Sequence, residues 1–118
     1  MKTKEENIIV NKSYLFAVRC VRLYKYLCEE RHDHVIGKQL MRSGTSVGAN
    51  VKEAIRGISK ADFRAKMSIA LKEASETEFW IEVLQDTDYL TGQQAESMLA
   101  DCQELLKMLM SIVKTSNQ

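Results

Sequence analysis

Apolar residues recur at spacings of three and four along nearly the whole chain, the period of α-helices that each bury one face. Four such segments are legible. The first is predicted from about Ser13 to Arg31, with Asn11 or Ser13 as its cap. It carries one stripe of Tyr14, Ala17, Val18, Val21, Tyr24 and Cys28, and a second of Phe16, Cys20, Leu23 and Leu27. The stripes adjoin and cover more than half the helix, whereas a bundle helix needs a face of only about 100° or somewhat more. The excess implies deep burial or a subunit contact.

The second segment is predicted from about His34 to Ile58, with a stripe of Ile36, Leu40, Gly44, Val47, Val51, Ala54 or Ile55, and Ile58. Gly37, Gly44 and Gly48 lie within it, each costing roughly 1 kcal/mol of helix propensity relative to Ala. That tolerance points to the close approach of a neighbouring helix. A phosphate cradle is the poorer reading, because no strand precedes the glycines and the P-loop pattern is absent. Ser59 and Asp62 then read as the start of a third helix, from about Lys60 to Asp88. Its seam of Phe63, Met67, Ala70, Ala74, Thr77, Ile81 and Leu84 is a clean heptad, on a helix roughly 40 Å long. Ile69, Trp80 and Val83 flank the seam, and Phe79 points nearly opposite to it. Thr91 and Gln94 open a fourth helix, about Gln93 to Lys114, with a seam of Ala95, Met98, Cys102, Leu105, Leu109 and Ile112 and a second stripe of Leu99, Leu106 and Val113.

Short connections between four amphipathic helices predict an all-α fold, an antiparallel up-down-up-down four-helix bundle. It forms a single domain over 1–118, with frayed termini at about 1–10 and 115–118. The second stripes exceed what one bundle interior accommodates, so the chain is expected to assemble with itself. Phe16, Leu23, Leu27, Ile69, Phe79, Trp80 and Val83 are the expected interface.

Composition narrows this further. The chain has 118 residues, 45% of them apolar, with no Pro and 5 Gly, which supplies too few turn formers for a β-sandwich or barrel. Cys20, Cys28 and Cys102 are an odd set on helical faces, read as reduced thiols. The first residues, Met1 to Asn7, hold no apolar signal-peptide core, and no uncharged apolar run approaches the ~18 residues of a membrane span. Cytoplasmic residence with no membrane contact is the expectation.

The net charge of +1 hides an imbalance: residues 1–60 sum to +6 and residues 61–118 to −5. Either basic and acidic helices pair inside the bundle, or the molecule steers toward a polyanion or another copy of itself. Lys38, Arg42, Lys52, Arg56 and Lys60 lie within about 60° of the point opposite the apolar stripe of helix 2, and no Asp or Glu interrupts them. Glu53 lies at the border of this strip, near Ser46 and Asn50. Such a row of cations can track a phosphate backbone, and Arg19, Arg22 and Arg31 of helix 1 would widen it. The alternative is a solvated face, paired with acids of a neighbouring subunit.

Glu73 and Glu76 lie one turn apart on helix 3, with Trp80 a turn beyond. A di-iron site would want His where Phe79 stands, so a salt-bridge or hydrogen-bond role for Glu76 is the better reading. Folding back around residue 58 brings Arg42 within a turn of Glu76, although the wheel turns Arg42 outward. Cys28, His32, Asp33 and His34 cluster at a turn with only one local thiol, a poor zinc set. No nucleophile elbow, HExxH motif or Gly-rich phosphate loop is present. No catalytic residue, metal or cofactor is expected, and the chain is not expected to be an enzyme.

Gln39-Leu40-Met41-Arg42-Ser43 followed by Ser46-Val47-Gly48-Ala49-Asn50-Val51-Lys52-Glu53-Ala54 resembles the helix 2 signature of the bacterial four-helix bundle proteins encoded by intervening sequences within 23S rRNA genes. Ile69 to Ile81 resembles their helix 3 signature, and Lys107 to Lys114 their tail. The resemblance implies a barrel-shaped homopentamer that is rRNA-associated and not an enzyme. A related branch is the accessory protein of diversity-generating retroelements, a basic pentamer that binds nucleic acid and a reverse transcriptase. Arg42, Ser46, Asn50, Glu53 and Glu76 occupy motif places. Gly48 stands where many relatives have Pro and Ala54 where many have Gly, which implies a straighter or differently packed helix 2. The function so implied is binding of structured RNA or other nucleic acid by a homo-oligomer; the alternative is an adaptor oligomer with a protein partner.

Overall fold

Side-chain caps set where the helices start. In the computed structural model, which describes residues 3–117, α1 spans Lys4–Glu30, α2 Ile36–Ile55, α3 Lys60–Asp86 and α4 Gly92–Ser116. No strand occurs among the described residues. Thr3 and Glu6 form a reciprocal capping box, as do Thr91 and Gln94. Ser59 accepts from the Asp62 backbone N–H at 3.0 Å. At α2 the cap comes from outside the helix: the Asp33 carboxylate accepts from the N–H groups of Val35, Ile36 and Gly37, at 3.1, 3.2 and 2.7 Å.

The start of α1 departs from the sequence expectation. The helix begins at Lys4 rather than Ser13, and residues 4–10, expected to fray, are helical with Ile9 fully enclosed. The expectations for residues 1, 2 and 118 lie outside the described residues. Ser13 is no cap: it sits inside the helix, buried, with its hydroxyl donating to the Val10 carbonyl at 3.2 Å. That local bond lets a polar residue occupy a core position, so the buried stripe runs Ile9, Ser13, Phe16, Cys20 and, past the half-buried Leu23 and Tyr24, Leu27. Phe16 and Leu27, expected at a subunit contact, are therefore enclosed in the chain's own core at 1% and 0% exposure. At its C-terminal end α2 stops at Ile55, short of the expected Ile58, whose side chain stands 98% exposed in the turn.

Pairings between helices place the rest. Lys12 meets Glu104, Arg19 meets Asp101, and Arg31 donates to the Asp88 carbonyl. Arg64 donates to the Ser116 carbonyl, and Lys66 pairs with Glu53. Each helix touches the two beside it in chain order, α4 closes onto α1, and this last contact is the sparsest. The glycines of α2 are where α1 comes close. A Cβ on Gly44 would lie 2.9 Å from the Cys20 Cβ, and one on Gly48 3.1 Å from the Ser13 carbonyl oxygen. Seams on α3 and α4 bury as expected, from Met67 to Leu84 and from Ala95 to Ile112. Cys20 and Cys102 are free thiols in this core. Burial, reinforced by the neighbouring Cys102, pushes Cys20 up to about 12. Burial, with the acids Glu78, Asp101 and Glu82 nearby, does the same to Cys102, also to about 12.

Folding turns the charge imbalance along the sequence into one along the 43 Å long axis. The half nearer the α2–α3 turn (residues 3–17, 46–73 and 104–117) holds ten Lys/Arg and six Asp/Glu. The half nearer the other two turns (residues 18–45 and 74–103) holds six Lys/Arg and ten Asp/Glu.

Candidate nucleic-acid interface

The cations of the outer α2 face fall into two groups, one tied by acids of α3 and one making no ion pair among the described residues. Arg42 is engaged. Its guanidinium pairs with Glu73 at 3.1 Å and with Glu76, and its Nε donates to Gln39 at 3.2 Å. The same Glu76 carboxylate accepts from Trp80 Nε1 at 2.9 Å. The Glu73 side chain is only 16% exposed, so a guanidinium must stay beside it to offset desolvation. The paired carboxylates of α3 thus serve as counter-charges to an arginine. Lys38, Lys52, Arg56 and Lys60 are exposed and make no ion pair among the described residues.

Arg19 and Arg22 do not extend this group. They lie on the side of α1 that faces α4, lining a groove of about 540 Å³ with Gln93, Gln94 and Ser97. Arg19 is tied there to Asp101 at 2.6 Å and to both the side chain and carbonyl of Ser97. The sequence placed these arginines on a helix but not beside a particular neighbour. Arg31 is likewise directed to the α3–α4 turn.

Two grooves adjoin the unpaired cations. One, of about 430 Å³, lies between α2 and α3 and is lined by Ala49, Lys52, Glu53, Arg56, Asp62 and Lys66. The other, of about 530 Å³, lies between α1 and α2 and is lined by Asn7, Val10, Asn11, Tyr14, Ala17, Thr45, Gly48, Ala49 and Lys52. Lys52 borders both. The second groove was hidden in the sequence, since three of its five α1 residues, Asn7, Val10 and Asn11, precede the helix start expected at about Ser13; the Thr3-x-x-Glu6 capping box was the signal that would have exposed it.

The remaining motif residues knit α2 to itself and to α3. Asn50 Nδ2 donates to the Ser46 carbonyl and hydroxyl at 2.9 and 3.0 Å, and Glu53 pairs with Lys66 at 3.1 Å. Beneath them Thr77 donates to Ser43 Oγ at 2.8 Å and Ser43 to the Leu40 carbonyl, a buried hydroxyl relay that hydrophobic periodicity does not reveal. Of the expected interface residues still at the surface, Ile69 and Phe79 are exposed, and Leu23, Trp80 and Val83 are half-buried. Phe79 rests edge-on against Trp80, with ring centroids 5.0 Å apart. The turn cluster does not converge on a metal: Asp33 is committed to the α2 cap, while His32 and His34 are exposed.

Four capped helices, a continuous apolar core and a cationic end define a small all-α bundle protein. The match to the 23S rRNA-intervening sequence protein family covers residues 5–111, and the chain belongs to that family. It is also similar to the crystal structure of a protein of unknown function from the S23 ribosomal protein family of Bacteroides thetaiotaomicron. Identity to that protein is 51% over 93% of this chain and 98% of that one, with a TM-score of 0.91. No curated protein matches the chain. No helix is long and apolar enough to cross a membrane among the described residues.

Proposed function

We propose that this chain is a non-enzymatic, cytoplasmic RNA-binding protein that works as a homo-oligomer, five-membered by the resemblance to its family. The observation that carries the reading is the set of Lys52, Arg56 and Lys60 at one end of the bundle, exposed and without an acid partner among the described residues. Phosphate neutralisation by such cations releases counterions and makes binding fall with salt. The helix pairings support an antiparallel up-down-up-down course, which gathers these three cations at one end. Assembly is supported by apolar side chains left in water, among them Leu15 at 55%, Phe79 at 54% and Met110 at 56% exposure.

Anisotropy titration of a labelled RNA hairpin over a salt series tests the reading. The expected result is a linear fall of log affinity with log salt, shallower for Lys52→Glu/Arg56→Glu. Absence of binding at low salt, or an unchanged slope in the double variant, overturns it. Light scattering tests assembly: Phe79→Glu is expected to lower the oligomer mass. If the mass holds, Phe79 is not at the subunit contact.

A further inference from the structure

We infer that the groove between α1 and α2 is a pocket for an unpaired nucleotide, which gives the RNA reading above, on which it rests, a preference for loops over duplex. The α1 wall supplies Tyr14, an aromatic ring 64% exposed to water. It also supplies Asn7 and Asn11, whose side-chain amides make no hydrogen bond within the described residues. The floor is Gly48 and the exposed rim Ala49, two small residues that keep the groove open. At its mouth stands Lys52, shared with the α2–α3 groove that holds Arg56.

Each part matches one part of a nucleotide. An exposed aromatic ring stacks on a base that has left its own stack. Amides offer both donors and acceptors to a Watson–Crick edge. An unpaired ammonium takes the phosphate, and Arg56, one turn on from Lys52, takes the next along the strand. A volume of about 530 Å³ falls within the usual range for small-ligand sites. A base held in a duplex presents no free face to Tyr14, so paired RNA would engage only the cations.

Anisotropy titrations of a fluorescein-labelled hairpin with a single-stranded loop, and of a blunt duplex with the same stem, test this. Tyr14→Ser is expected to weaken hairpin binding about tenfold, as loss of one base–aromatic stack does, with duplex binding and the salt slope unchanged. Ala49→Phe, which fills the groove from its exposed rim, is expected to reproduce that pattern. If both variants bind the hairpin as the parent does, while Lys52→Glu/Arg56→Glu binds neither RNA, the pocket fails and the RNA reading stands. If the charge-reversed variant binds both RNAs normally, the RNA reading itself fails. A lower oligomer mass for Tyr14→Ser would mark the groove as a subunit contact and also overturn the pocket.

Discussion

Arg42 and Arg56 stand on one face of one helix, and their surroundings differ. Arg42 lies in the acidic half of the bundle, held by Glu73, Glu76 and Gln39 across to α3. Arg56 lies in the basic half beside Lys52 and makes no ion pair among the described residues: Glu53 is taken by Lys66, and Asp62, which lines the same groove, is not paired with it. A helical wheel makes the two equivalent, but the neighbouring helix separates them into a structural tie and a free charge. In the same way, the resemblance-derived motif residues Arg42, Glu53 and Glu76 read as the joint between α2 and α3, and the proposed RNA contacts lie beside that joint.

The largest effect is expected from erasing the free group. Lys52→Glu/Arg56→Glu should lower affinity for an RNA hairpin about a hundredfold near physiological salt and flatten the salt slope by about 1.5, with the thermal midpoint little changed. Arg42→Ala should do the reverse. It should cost about 1–2 kcal/mol of stability in urea titrations, because Glu73 and Glu76 lose their shared counter-charge, and leave RNA affinity within about twofold. Thr3→Ala should cost about 1 kcal/mol through loss of the α1 cap, measured by the same titration. The smallest effect sharpens the contrast most: Glu73→Gln/Glu76→Gln releases Arg42 and should raise RNA affinity about threefold, with a slope steeper by about 0.8. A stability-neutral Arg42→Ala, or a double Gln variant with parental affinity, would break the distinction between tied and free cations.

The core common to both halves makes a separate prediction. Burial raises the thiols of Cys20 and Cys102 to about 12, above their ordinary value of 9.0. The folded state favours the neutral thiol, so its contribution is complete below pH about 9 and declines as pH rises toward about 12. Urea midpoints should fall across that window, and fall less in Cys20→Ala/Cys102→Ala; parallel pH profiles would contradict this.

The α3 and α4 seams were legible because each buried position is apolar or small and the heptad is unbroken, from Met67 to Leu84 and from Ala95 to Ile112. The α1 seam was not, because buried Ser13 interrupts it and its hydroxyl is satisfied only by a bond inside the helix. This inverted the two stripes of α1 and sent Phe16 and Leu27 to an interface they do not reach. The cationic strip could be seen as a pattern, but which members are neutralised depends on which helix lies alongside. Glu73 and Glu76 were visible, and so was their approach to Arg42 along the axis. What the wheel missed is that a guanidinium on a long stem reaches sideways to a neighbour from a position that points outward.

The most direct test of the account is photocrosslinking of 4-thiouridine RNA to the intact protein, with the attachment sites mapped by mass spectrometry. Attachments are expected within residues 4–17 and 46–60, at the basic end and along the α1–α2 groove. Attachments concentrated within residues 86–101, at the acidic end, would contradict it.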